Sequence, residues 1–183
     1  MYDYIAKIYN RFLDWKRDRY IRELRKKGLK VGKNINVVGA FFFDPSHCFL
    51  ISIGDNCTIA PGVRLIAHDA SSKQFLGYTK IGKITIGENC FLGSGVTVLP
   101  CVEIGSGSIV GAEAVVTRDI PPGMVAAGNP AKIICSVSDY LKKIKKQAEK
   151  KTIFDERYFI GNLNDSRREE VLDSVKDSVG FIL

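Results

Sequence analysis

Residues 86–115 decide the fold: IGENCF, LGSGVT, VLPCVE, IGSGSI and VGAEAV, written as consecutive blocks of six. Each block opens on Ile, Leu or Val. The second place is often Gly, as at Gly87, Gly93, Gly105 and Gly111, and the fifth is small or β-branched, as at Cys90, Val96, Val102, Ser108 and Ala114. A period of six is neither the 3.6 of a helix nor the plain alternation of a strand. It fits a short strand and a turn, repeated. If three blocks make one coil of a prism, the opening aliphatic residues of successive coils stack inside as columns, about 4.8 Å apart. The fifth-place residue also points inward near a corner and must be small. Glycine at the second place is expected where the chain turns sharply and a Cβ would clash. The reading is an all-β core, a parallel β-helix in which each coil buries its apolar face only by stacking on its neighbours.

Working outward, VTRDIP continues the register from Val116, and IGDNCT, IAPGVR and LIAHDA precede it, opening at Ile53, Ile59 and Leu65. Weaker blocks open at Val31, Val37 and Phe43. Two breaks interrupt the count. Ile53 lies ten residues after Phe43, a slip of four, and Ile86 lies 21 residues after Leu65. The second interval holds the polar, glycine-punctuated SSKQFLGYTKIGKIT and is read as a loop at about 70–84 that leaves the coil directly after His68. Loops on a rigid scaffold tend to carry function.

An open stack needs its ends covered, because bare strand edges invite aggregation. Ile5, Ile8, Phe12, Trp15, Tyr20 and Leu24 recur at helical spacing and predict an amphipathic N-terminal helix. Beyond GMVAAGNPAKII, which closes the coil, SDYLKKIKKQAEKK predicts a second helix from near Ser138, and Asn164 and Asp165 read as caps of a last one through about Lys176. The organisation is an N-terminal helical segment over 1–30, a hexapeptide-repeat domain over 31–135 and a C-terminal helical extension over 136–183.

With 183 residues, 45% of them hydrophobic, the chain fits one domain plus appendages. No apolar run approaches the ~18 to 20 residues of a bilayer crossing, and the N-terminus has no secretory-leader pattern, so the expected address is the cytoplasm. The net charge of +7 divides unevenly: +6 over 1–30, zero over 31–135, +4 over 136–151 and −3 over 152–183. Basic residues therefore sit on two helical segments and alternate with apolar ones. That argues against nucleic acid and leaves peripheral contact with an anionic membrane surface open but unsupported. Five cysteines without a CxxC pair suggest neither a disulfide framework nor a thiolate metal site. GSGSIVG, residues 105–111, spans two blocks with no helix after it, so it is repeat grammar rather than a dinucleotide loop.

His68 and Asp69 stand in LIAHDA where other blocks carry small or aliphatic residues. The succession SIGDNCTIAPGVRLIAHDAS, followed by KITIGENC through AAGNPAKII, resembles the hexapeptide-repeat acyltransferases, closest to the galactoside, maltose and polysaccharide O-acetyltransferases. The resemblance covers roughly residues 31–135. It implies a left-handed parallel β-helix, against the usual right-handed crossover rule. It also implies acetyl transfer from acetyl-CoA in a site between two subunits of a homotrimer. Such transfer to a hydroxyl needs a base, and a neutral imidazole with an ordinary pKa near 6.5 serves at neutral pH. His68 occupies the matching family position. Asp44, in FFFDPSH, and Asp69 are the candidate supporting carboxylates, and His47 is a weaker candidate.

Carried over position by position, the coenzyme-binding residues are Ser94, Ala112, Thr117, Arg118 and Lys132. Arg118 and Lys132 suit the nucleotide phosphates. Many relatives have Arg in place of Lys132, and an arginine expected three residues later is replaced by Cys135. Two histidines cannot supply the three-histidine set of the zinc carbonic anhydrases built on such prisms, so no metal is required. The function implied is an acetyl-CoA-dependent O-acetyltransferase acting on a sugar or polysaccharide precursor, by direct transfer with no acyl-enzyme. Amino-sugar N-acetylation, antibiotic acetylation and a non-catalytic binding solenoid remain alternatives.

Overall fold

A computed structural model describes residues 2–183, with side chains from Arg11 onward. Ile5 and Ile8 of the expected helical stripe lie outside those described side chains. The chain forms two compact units, one up to Val137 and one over Ser138–Leu183.

The first unit opens with helix α1 (Tyr2–Lys26) and then winds through three parallel sheets in rotation. The first coil comprises β1 (Lys30–Val31), β2 (Asn36–Val37) and β3 (Phe42–Phe43); the second comprises β4 (Ile51–Ile53), β5 (Thr58–Ile59) and β6 (Arg64–Leu65). An excursion follows: β7 (His68–Asp69), the short helix α2 (Lys73–Leu76) and β8 (Lys80–Ile81), with β7 antiparallel to β8. The third coil holds β9 (Ile84–Ile86), β10 (Phe91–Leu92) and β11 (Thr97–Val98), and the fourth β12 (Val102–Ile104), β13 (Ile109–Val110) and β14 (Val115–Val116). Strand β15 (Met124–Ala127) adds one more parallel rung to β13 and folds back on antiparallel β16 (Lys132–Ser136).

The register is the one the hexads dictate. Val31, Ile53, Ile86 and Ile104 align in one column, Val37, Ile59, Leu92 and Val110 in a second, and Phe43, Leu65, Val98 and Val116 in a third. All but Val31 are buried. The fifth-place Cys57, Val63, Cys90, Val96, Val102, Ser108 and Ala114 are buried beside them. Within this interior the Ser108 hydroxyl donates to Pro121 O and accepts from Met124 N, so the polar atom is satisfied.

Second-place glycines have a different cause from the expected one. Gly54 is not in the left-handed region; a Cβ there would stand 2.7 Å from Glu88 N on the next coil. Stacking of coils therefore excludes the side chain. The sharp turn falls at the fourth place, where Asn34, Asn56, Asn89 and Glu113 adopt φ of 54 to 57°, Cys101 65°, and Gly62, Gly95 and Gly107 70 to 79°. Asparagine and glycine are the residues that tolerate that conformation at least cost. Asn34, Asn56 and Asn89 form a side-chain ladder from coil to coil, at 3.1 and 3.3 Å.

Helix α1 is attached through its C-terminal half. Leu24 is buried, Ile21 packs on the core, Arg25 donates to Val31 O (2.7 Å) and Arg17 to Val37 O (2.8 Å). Phe12 and Trp15, expected on the buried stripe, are 46% and 51% exposed. A 25-residue helix runs about 37 Å, more than one coil can cover.

The second unit carries nearly all of α3 (Val137–Ala148), then β17 (Ile153–Phe154), α4 (Asp165–Val175) and β18 (Phe181–Ile182), with β17 parallel to β18. Asn164 caps α4 by accepting from Arg167 N at 2.9 Å. Phe154 is buried there, with the Tyr158 ring against it, and Tyr158 donates to Glu170 at 2.6 Å. Among the described residues no helix is long and apolar enough to cross a membrane.

Candidate active site

Both register breaks leave the prism at the end of a third-sheet strand. The chain departs after β3 into a single-turn helix at Cys48–Leu50, and after β6 into the β7–β8 hairpin. Since β3 and β6 are paired neighbours, and Asp44 N donates to Leu65 O at 3.0 Å, the two departures lie one against the other. Ala67 is the last buried wall residue, and Gly82 N returns to Ala67 O at 3.0 Å to close the hairpin neck. His68 begins β7, with its side chain 32% exposed. The excursion is narrower than the loop read from the sequence, because Lys80 and Ile81 already pair back onto Asp69 and His68.

Asp44 has no solvent exposure, and every oxygen it carries is engaged. Oδ1 accepts from the backbone N–H of Ser46 and of His47, both at 3.2 Å. Oδ2 accepts from Ala67 N at 3.1 Å and lies 2.5 Å from His68 Nδ1. Burial pushes the carboxyl up. The His68 hydrogen bond and charge, with the His47 and Ser46 amides, outweigh it and hold the carboxyl below its ordinary value. Asp44 is thus an acceptor only, so the proton in the short contact belongs to His68 Nδ1. In the neutral ring that tautomer leaves Nε2 as the nitrogen with a free lone pair. A fixed carboxylate on Nδ1 is an arrangement that can orient an imidazole for proton transfer at Nε2.

The His47 ring stands beside the pair, its centroid 4.9 Å from that of His68. His47 Nδ1 is buried without a hydrogen-bond partner, 3.6 Å from Asp44 Oδ2. Asp69 is placed otherwise. Its Oδ1 accepts from Ser71 N at 2.9 Å, and this turn, with the Ser71 hydroxyl and the charge of Lys80, lowers its carboxyl. The sequence left open which carboxylate serves the imidazole; the geometry gives that contact to Asp44, while Asp69 starts the loop.

His68, Asp69, Lys80, Leu99, Pro100 and Thr117 line a cavity of about 550 Å³. Thr117 is the one expected coenzyme residue among its walls. Ser94 and Ala112 are exposed on adjacent coils, where Glu113 N donates to Ser94 O at 2.8 Å. Arg118 is exposed just after β14, and Lys132 is exposed on β16 opposite Ala127. A larger groove of about 760 Å³ lies along α1, lined by Leu13, Arg17, Val37 and Phe41 among others, but it has no imidazole or thiol. Lys80 and Pro100 of the smaller cavity escaped the sequence reading: they come from the loop's return and from a corner two coils' worth of sequence away. The Cys57 thiol is buried in the prism interior and pushed up by its Cys90 neighbour and by burial, so it is a packing group.

A coil of stacked hexads with an imidazole at the root of its one long excursion defines a class, the hexapeptide transferases. The family model for the bacterial transferase hexapeptide (six repeats) matches residues 83–118. The Bacillus subtilis (strain 168) protein named "Putative acetyltransferase YvoF" is 33% identical over 77% of this chain and 78% of its own. The galactoside O-acetyltransferase of Escherichia coli (strain K12) is 40% identical over 50% of this chain and 46% of its own length. Among solved structures, a maltose O-acetyltransferase from Clostridium difficile 630 superposes with a TM-score of 0.53 at 34% identity, covering 60% of this chain and 59% of that one. A galactoside acetyltransferase in complex with coenzyme A gives 0.51 at 34% identity, covering 63% and 58%. The chain belongs to the hexapeptide-repeat acetyltransferases.

Proposed function

We propose that this enzyme transfers acetyl from acetyl-CoA to a hydroxyl of a sugar or polysaccharide precursor, with His68 as general base. The observation that carries the reading is the buried, ionised Asp44 at 2.5 Å from His68 Nδ1, on the wall of an open cavity. His68 Nε2 takes the hydroxyl proton as the new C–O bond forms. It returns that proton to the coenzyme sulfur as the C–S bond breaks, so no acyl-enzyme is needed. Asp44 stays ionised throughout and offsets the imidazolium charge. General-base help of this kind is worth about 10²- to 10⁴-fold.

The thioester reaches the cavity past Thr117, with Ser94 and Ala112 offering coil backbone to the pantetheine arm and Arg118 and Lys132 meeting the phosphates. Arg118 and Lys132 are exposed cations with no ion pair among the described residues, which leaves them free for an anionic ligand. The coil is left-handed and the protein is a cytoplasmic homotrimer in this reading, with the coenzyme in the groove between prisms. The galactoside and maltose O-acetyltransferase names of its relatives support a saccharide acceptor.

The test is thiol release by the purified full chain with acetyl-CoA and a panel of galactosides, maltose and glucosamine, beside His68→Ala. Turnover with a saccharide hydroxyl, lost in the variant, supports the reading. Turnover with glucosamine alone makes it an N-acetyltransferase. Silence with every acceptor, together with no rise in melting temperature on adding coenzyme A, leaves a binding solenoid instead.

A further inference from the structure

We infer that Asp44, His47 and His68 form a binding site for a divalent ion of the zinc type, and that its occupation silences the imidazole. One ligand atom from each residue lies within 4.8 Å of the other two. The only buried side-chain polar atom lacking a partner among the described residues, Nδ1, belongs to one of the three residues, His47. An orphan donor or acceptor in a protein interior calls for an occupant, and here its neighbours are a carboxylate and a second imidazole.

The donor set selects the metal. Two imidazole nitrogens and one carboxylate oxygen suit zinc, cobalt or copper, whereas magnesium and calcium take oxygen cages. Tetrahedral coordination at about 2.0 to 2.2 Å puts donors about 3.3 to 3.5 Å apart. The His47 Nδ1 to Asp44 Oδ2 separation of 3.6 Å is already close to that. The His68 Nδ1 to Asp44 Oδ2 contact of 2.5 Å must open by about 0.9 Å, which a hairpin-root side chain 32% exposed can do by a small ring shift. Asp44 Oδ1 keeps its Ser46 and His47 amides meanwhile, and outer contacts of this kind hold a metal-binding carboxylate in aim. Both rings keep part of their surface in solvent, leaving the fourth position to water.

The consequence rests on the acetyl-transfer reading. An ion on Nδ1 excludes the proton that sits there, and in the neutral ring that proton moves to Nε2. Proton count and charge on the ring are conserved. The nitrogen that must accept the hydroxyl proton now carries one, so the bound ion inhibits without filling the cavity.

Metal-stripped full chain, titrated with cobalt(II), should show the visible bands of a four-coordinate ion, at one equivalent per chain. Zinc should displace it and raise the melting temperature. Thiol release should stop with zinc and return with EDTA. His47→Gln should weaken zinc at least tenfold, and its own metal-free rate should need correspondingly more zinc for half-inhibition. His47→Cys, a stronger zinc ligand, should restore binding and add a thiolate charge-transfer band to the cobalt spectrum. Absence of cobalt bands, or equal zinc retention by wild type and both His47 variants, overturns the site. If zinc fails to bind while thiol release in EDTA still depends on His68, this inference falls and the acetyl-transfer reading stands. If zinc binds but no acceptor releases thiol, the reverse holds.

Discussion

The third and fourth coils, residues 84–116, and the third-sheet end of the first two coils are built from one grammar and used in opposite ways. In the former the count of six never slips, every opening residue is buried, and no imidazole or buried carboxylate is present. In the latter the count slips twice, after Phe43 and after Leu65, and each slip brings a buried or half-buried polar side chain to the wall. The repeat supplies rigidity and the slips supply chemistry. Because β3 and β6 stack, two insertions 22 residues apart in sequence deliver Asp44, His47 and His68 to one place.

The sharpest way to break the slipped corner is Asp44→Asn. The amide NH₂ can donate to His68 Nδ1 and so favour the tautomer with Nε2–H, which cannot act as a base. Loss of the orienting carboxylate should lower kcat by roughly 10²- to 10⁴-fold with little change in KM for acetyl-CoA. Rate assays at saturating coenzyme check this; a variant within threefold of wild type would remove Asp44 from the mechanism.

The unbroken wall should answer differently. Leu92→Ala, at a column position with no exposure, should cost about 2 to 5 kcal/mol through the cavity it leaves. Phe75→Ala, on the excursion at 80% exposure, should stay within about 0.5 kcal/mol. Denaturant melts of both would show whether stability resides in the columns. Equal losses would mean that the excursion is part of the core.

How much of this was legible follows the same division. The twelve opening residues from Val31 to Val116 carry the fold because stacking repeats one environment, and one environment selects one residue type over and over. His68 was legible because it violates that selection. Its bond to Asp44 was not, since it depends on two register slips falling on the same sheet. The signal was present: Asp44 follows the opening residue of its block by one and His68 by three, and both blocks are third in their coils. The role of the second-place glycines was misassigned because a clash with the next coil and a left-handed turn both call for glycine. Phe12 and Trp15 show the limit of periodicity, which reports an apolar face but not what covers it.

Acid should loosen the slipped corner before the columns. Asp44 has its folded-state pKa lowered, so its contribution to stability is full above the unfolded carboxyl value of about 4 and is lost as pH falls through the folded value. In that window the unfolded chain binds more protons, so stability rises with pH. Melts in EDTA from pH 5 down to 2 should show a steeper decline for wild type than for Asp44→Asn; parallel curves would mean that folding does not lower the pKa of this carboxyl.

The smallest expected effect is the one that separates the two aspartates. Asp69→Asn keeps an oxygen able to accept from Ser71 N, the one hydrogen bond its carboxylate makes to the loop backbone at 2.9 Å, and it removes the charge facing Lys80 and weakens the contact with the Ser71 hydroxyl. At an exposed site that charge is screened. The variant should keep kcat within about threefold and stability within about 0.5 kcal/mol. A change in KM for the acceptor, with kcat intact, would give Asp69 a place in binding the acceptor hydroxyls. A loss of kcat matching that of Asp44→Asn would mean instead that the hairpin swings during turnover and brings the second carboxylate to His68. Measuring both variants with one acceptor therefore decides whether the slipped corner holds one supporting carboxylate or two.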